Sequence, residues 1–216
     1  MKRIHTPAHL NPKSQLELFR QTAFHEAGHA VAIYLRNRQI QLPPVFFQIT
    51  LDAYEPKPLE KKYLAKVEGG QLIENLPFSL VSLPEQQQNE YLVAFEADIV
   101  NLLAGPLAEA KYIALRDDEE LNRHIVNLNA LAFYGGASDL ERVEEYIQCF
   151  IENMQQRIDK VDALFSDAFD FINTGKHWKV ITDLAMHIIT CKKNIIPCTE
   201  IISIIEGSLT KPALAY

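Results

Sequence analysis

Between Pro12 and Asn37 the apolar residues recur every three or four positions, as Leu16, Phe19, Ala23, Ala27, Ala30, Val31, Tyr34 and Leu35. That spacing is one face of an α-helix. Asn11 followed by Pro12 suits its start, since asparagine caps a helix and proline tolerates the first helical position. The spacing predicts a helix over about 12–37. Its apolar stripe must be buried against other elements. Gly28 lies inside it, at a cost of about 1 kcal/mol in helix propensity relative to alanine. A glycine there points to close packing or the close approach of another backbone.

The stretch from Gln39 to Pro84 changes character, with prolines at 43, 44, 56, 58, 77 and 84. Val45 to Leu51 is aromatic and β-branched and reads as a strand. Leu72-Ile73 and Phe78 to Leu83 read as two shorter strands, and Lys61 to Val67 as a helical turn or two. Helical spacing returns near Glu85 through Leu92, Phe95, Ile99, Leu102 and Leu103. Gly105-Pro106 then predicts a kink or a fresh start before Leu107 to Leu115. Asp117 to Tyr134 reads as a helix stopped by Gly135-Gly136. Ser138 and Glu141 form a capping-box pattern. It opens a helix through Val143, Ile147, Phe150 and Met154, and the stripe runs on to Phe169 past a break near Asp159. After a turn at Asn173 to Lys176, helices are expected over Trp178 to Cys191 and Thr199 to Glu206. The fold class is mainly α, with a small β element after the first long helix.

Composition narrows the class. Of 216 residues, 48% are apolar and 23% charged, enough for a sizeable core without disulfide or metal staples. Lys+Arg total 21 against 28 Asp+Glu, a formal charge of −7 that disfavours a nucleic-acid binder. Cys149, Cys191 and Cys198 make neither a disulfide framework nor a CxxC zinc pair. No apolar run follows Lys2 and Arg3 to make a signal peptide. The greasiest tail segment, Ile195 to Ile205, is interrupted by polar residues and falls short of the roughly 20 apolar residues of a membrane span. A cytoplasmic protein without a membrane span is the expectation.

His25-Glu26-Ala27-Gly28-His29 matches H-E-x-x-H within the first predicted helix. Residues four apart share a helical face, so His25 and His29 can grip one Zn2+ ion. Glu26 lies about 100° further round and is free to take a proton from water acidified by zinc. The chemistry is hydrolysis of a polarised carbonyl without a covalent enzyme intermediate. The small residues Ala23, Ala27, Gly28 and Ala30 leave room for a closely packed partner element.

A catalytic zinc needs a third protein ligand. Spacing alone leaves several candidates: Glu96 and Glu109 on predicted helices, His124, His177, His187, and Asp139 in the first turn of its helix, where a negative charge is favoured. Lys111, Arg116, Arg123 and Arg142 are conceivable oxyanion partners, but surface charge accounts for each. Cys149 reads as a core residue and Trp178 as a packing anchor.

The segment Thr22 to Val31 resembles the zinc motif of the M41 peptidase family, the proteolytic part of membrane-anchored AAA+ proteases. Leu102 to Glu109 is similar to that family's Gly-Gly-Arg segment ending in Ala-Glu. Gly135 to Arg142 is similar to its Gly-Ala-Ser-Asn-Asp-Leu-x-Arg segment, one residue short before Asp139. The three stretches occur in the family's order. The resemblance implies a helical, zincin-like metallopeptidase domain over about 12–156 within a single domain of 1–216, with 157–206 as a helical extension. It implies His25, His29 and Asp139 as zinc ligands and Glu26 as the base. Glu109, or Glu96, would orient a ligand histidine. Pro106 stands where the family usually has arginine. No G-x-x-x-x-G-K-[ST] loop is present.

The expected function is an ATP-independent zinc peptidase acting on a peptide or protein. The alternative is a catalytically inactive M41-like binding or regulatory module. An extended substrate would pair with a strand edge, for which Val45 to Leu51 is the candidate. A homo-oligomer, or a separate ATPase or adaptor partner, fits the same resemblance.

Overall fold

The computed structural model describes residues 12–51, 64–75 and 84–210. In chain order the elements are α1 (Pro12–Val31), a π-helical turn (Ala32–Arg36), a short α2 (Asn37–Gln39), β1 (Phe47–Leu51), β2 (Ala65–Gly69), α3 (Glu85–Arg116), a 3-10 helix (Leu128–Tyr134), α4 (Ala137–Phe150), α5 (Met154–Asn173), α6 (Gly175–Thr190), β3 (Ile195–Ile196) and α7 (Cys198–Thr210). The fold is mainly α with a small antiparallel sheet, a zincin-like arrangement.

α1 and α3 form the centre. α3 is buried all round from Ala97 to Ala110, as expected of a helix that is apolar on every side. The two helices touch where their side chains are smallest. A Cβ added to Gly28 would lie 2.5 Å from the Ala104 carbonyl oxygen and 2.7 Å from the Ala108 Cβ. Phe24 of α1 stacks on Tyr112 of α3 with ring centroids 4.3 Å apart and on Trp178 of α6 at 5.5 Å. Trp178 is therefore the packing anchor expected of it. α5 packs on α3, α6 on α1, and α7 on α6.

The sheet order is β2-β1-β3, both pairs antiparallel. β1 is thus the central strand: it pairs with β2 along its length and with β3 at Ile49 and Thr50. This corrects the expectation that Val45 to Leu51 offers a free edge. Among the described residues, the outer strand beside α1 is β2. Asp98 of α3 fixes the chain leaving β2, its carboxylate accepting the N–H groups of Leu72 and Ile73 at 2.9–3.1 Å and the Tyr146 hydroxyl at 2.9 Å.

Several expectations are corrected. Gly105-Pro106 does not interrupt α3, which runs unbroken for 32 residues. The surrounding burial outweighs the roughly 3 kcal/mol that an internal proline costs. Asp117 to Tyr134 is not one α-helix: only Leu128–Tyr134 is helical, as a 3-10 helix. Its asparagines compete for the backbone: Asn122 Oδ1 accepts the His124 N–H, and Asn127 Oδ1 accepts the Ala130 N–H. Gly135, at φ 73°, closes the 3-10 helix in the left-handed region. The N-cap of α4 is Gly136, not Ser138, which lies inside the first turn. The break after α4 comes at 151–153, where the Asn153 side chain caps α5 by accepting the Gln156 N–H. β2 takes Ala65 to Val67 of the stretch expected as helical turns, whose residues 61–63 lie outside the described residues, as does Phe78 to Leu83; Leu72-Ile73 is not a strand. Cys149 is exposed, not core, since Val143, Tyr146 and Ile147 form the buried face of α4. α3 is long and apolar enough to cross a membrane by length and composition alone, and 72% of its most apolar stretch is buried within the fold.

Candidate metal centre

One helix places three of the four principal side chains. His25, Glu26 and His29 sit on consecutive turns of α1 where it meets α3. α3 answers with Asn101, Gly105 and Glu109, a stripe at i, i+4 and i+8 along one face. The Asn101 carbonyl accepts the His29 Nδ1 proton at 2.8 Å. A Cβ on Gly105 would lie 2.6 Å from His29 Cδ2 and closer still to Nε2 and Cε1, so only glycine leaves space for that ring. The Glu109 Oε2 lies 3.2 Å from His25 Nδ1, and the Tyr134 carbonyl lies 3.3 Å from the same atom.

With both Nδ1 atoms facing acceptors, both Nε2 atoms turn inward. They meet Asp139, the third residue of α4. Its Oδ2 is 3.2 Å from His25 Nε2 and its Oδ1 is 3.7 Å from His29 Nε2. His25, Glu26, His29 and Asp139 are each at most 1% exposed. His29 Nε2, Asp139 Oδ1 and Glu26 Oε1 are buried without a hydrogen-bond partner. Buried polar atoms are costly when unpaired. Two imidazole nitrogens and a carboxylate converging in this way fit a divalent cation such as Zn2+. His29 Nε2 and Asp139 Oδ1 are orphans that such an ion would satisfy.

The electrostatics agree. Burial opposes charge on His25, but its contacts with Asp139 and Glu109, and the Asp139 and Glu26 charges, push its pKa up to about 10. Burial likewise disfavours ionised Asp139, yet His29 and His25 hold it well below the usual carboxylate range. The cluster thus carries concentrated negative potential that a cation relieves. Burial raises the Glu26 pKa, against the pull of His25 and His29. Glu26 Oε2 accepts the Val67 N–H of β2 at 2.6 Å, which ties it to the outer strand.

The structure brings His25, Glu26, His29, Asp139 and Glu109 together. It does not bring Glu96, which pairs with Lys160 at 2.5 Å with both side chains more than a third exposed. His124 is exposed; His177 contacts the Phe171 carbonyl and His187 contacts Glu200. Lys111, Arg116, Arg123 and Arg142 bond to Asn173, Glu17, Ser166 and Glu145 respectively, away from the centre. Sequence reasoning missed the Asn101 and Tyr134 carbonyls and the role of Gly105. A carbonyl carries no residue signature, while the Gly105-Pro106 pair carried one that was read as a helix stop. No protein-family model matches the chain, and no curated protein matches it.

A buried His-Glu-His cluster with an aspartate is the kind of site used in metal-activated peptidase chemistry, and its substrate is a peptide or protein. When bound, Zn2+ supplies Lewis acidity at such a site, polarising a carbonyl and acidifying water. His25, His29 and Asp139 would hold it. The Asn101 carbonyl orients the His29 ring, and Glu109 with the Tyr134 carbonyl orients His25. Glu26 Oε1, the oxygen left free by Val67, is the atom available to take and return a proton.

Proposed function

We propose that the chain is a zinc endopeptidase related to the M41 family. In this reading His25, His29 and Asp139 are the metal ligands, Glu26 is the general base, and Glu109 is a positioning residue. The observation that carries it is the joint orientation of the two histidines, each Nδ1 held by an acceptor and each Nε2 turned to Asp139. The M41 relationship is supported by the meeting of three sequence segments at one point, through His25, Glu109 and Asp139. The outer edge of β2, whose Val67 N–H faces Glu26, is the proposed docking line for an extended peptide. The three free thiols fit a reducing compartment, so the cytoplasm is the proposed location. A separate ATPase or adaptor could deliver substrate.

The test is Glu26→Gln. The variant should bind one equivalent of zinc at the histidine-aspartate site, as wild type does, and lose hydrolysis of a fluorogenic peptide pool by about 100-fold or more, the usual size of a general-base contribution. Equal cleavage rates in variant and wild type would remove Glu26 from the chemistry.

One observation favours a second reading, an inactive binding or regulatory module. The four central side chains are almost wholly buried and Glu26 is already engaged by Val67. In that reading zinc binds, but no peptide in the pool is cleaved and Glu26→Gln changes only stability.

A further inference from the structure

A second group of metal-binding donors lies at the junction of α6 and α7, separate from the centre built on α1. His187 is in the last turn of α6, Cys191 follows that helix, and Glu200 is in the first turn of α7. His187 and Cys191 are four apart, the spacing that puts two donors on one helical face. We propose that His187, Cys191 and Glu200 form a second metal site, selective for a thiophilic divalent transition ion of the Zn2+ class.

Geometry supplies the first argument. One donor atom from each residue lies within 4.8 Å of the others, and His187 Nε2 is 2.9 Å from Glu200 Oε1. Bonds of about 2.0–2.3 Å to one tetrahedral ion put neighbouring ligand atoms about 3.3–3.8 Å apart. The His187–Glu200 pair must open by about 0.4 Å, and the longer separations close by about 1 Å or less, to seat an ion. All three side chains are half-buried, so an ion can enter without the core opening.

Charge supplies the second. A thiolate and a carboxylate balance a divalent ion, with a neutral imidazole as third donor. The C-terminal end of α6 adds the negative end of a helix dipole. The Lys193 N–H donates to Cys191 Sγ at 3.5 Å. The Lys193 ammonium now takes Glu200 Oε2 at 2.6 Å; at 61% side-chain exposure it can swing into solvent. The sulfur donor selects zinc-class ions over Mg2+ or Ca2+.

The site has a structural consequence. Residues 191–197 link its two halves. That link carries β3, and its Asn194 carbonyl accepts the Leu51 N–H at 2.7 Å. An ion here staples α6 to α7 and fixes the strand that flanks β1.

The test is Co2+ titration of the reduced, metal-free full chain. His25, His29 and Asp139 contain no sulfur, so only a cysteine-bearing site produces a thiolate-to-cobalt charge-transfer band in the near ultraviolet. The expected result is such a band in wild type, with the amplitude of one thiolate-bound cobalt per chain and abolished by Cys191→Ser, with thermal unfolding of apo wild type and apo variant alike. His187→Ala should weaken Co2+ binding at this band by about tenfold or more. Absence of the band in wild type, or its survival in Cys191→Ser, overturns the proposal. Neither result depends on peptidase activity or on occupancy of the first site.

Discussion

Gly105→Ala probes the centre without touching any proposed ligand. The added methyl would sit 2.6 Å from His29 Cδ2 and nearer to the two atoms beside it. Carbon atoms in contact settle at about 3.5–4.0 Å. The ring must therefore retreat by about 1 Å or more, straining or breaking its 2.8 Å bond to the Asn101 carbonyl. Metal sites tolerate deviations of only about 0.2 Å in ligand distance. Losing an orienting contact alone costs about 10–100-fold in metal affinity; displacing the ligand itself should reach at least the upper end. Stability should move much less. Alanine gains about 1 kcal/mol over glycine within α3, against about 1–3 kcal/mol for overpacking. The measurement is a zinc competition titration against a chromogenic chelator, paired with thermal melting of the metal-free protein. A folded Gly105→Ala variant with zinc affinity within about threefold of wild type would refute the placement of His29 at the ion.

Gly28→Ala has the opposite signature: its methyl strikes the Ala104 carbonyl and Ala108, so it should cost about 1–3 kcal/mol in urea unfolding by wedging α1 from α3. Asp98→Ala strips the partners from the Leu72 and Ile73 N–H groups and one from Tyr146; we expect about 3 kcal/mol of destabilisation by the same assay. The pKa of Glu68 is pushed down to about 2 by its bonds to Lys66, Gln48 and Thr50. A carboxylate depressed in the folded state stabilises it above its unfolded pKa, near 4.3, and that contribution fades as pH falls toward 2. Glu68→Gln should flatten the acid limb of stability against pH between those values, with the effect kept small by solvent exposure. An unchanged limb would place the acid sensitivity elsewhere.

The HExxH run was legible because two constraints coincide in a few residues: helical spacing puts His25 and His29 on one face, and small neighbours admit a second helix. The amphipathic stripes of α4, α5 and α6 were legible for the same reason. Where local chemistry and burial competed, local reading failed. Asp117 to Tyr134 has helical spacing, but its asparagine side chains take backbone donors and Ile125 stays 69% exposed. Pro106 reads as a break, yet α3 is buried on all sides there and continues through it.

What the sequence determined by itself was the donor pair on α1, the base beside it and the helical class, all set by contacts within one or two turns. Which distant groups complete the centre was decided by tertiary structure alone. The packing of Gly28 against Ala104 sets how close α3 comes, and so brings the Asn101 carbonyl, Gly105 and Glu109 to the rings. The left-handed turn at Gly135 delivers Asp139 to their inner nitrogens. Those contacts span 72 to 114 residues of chain, a separation over which no local periodicity carries information.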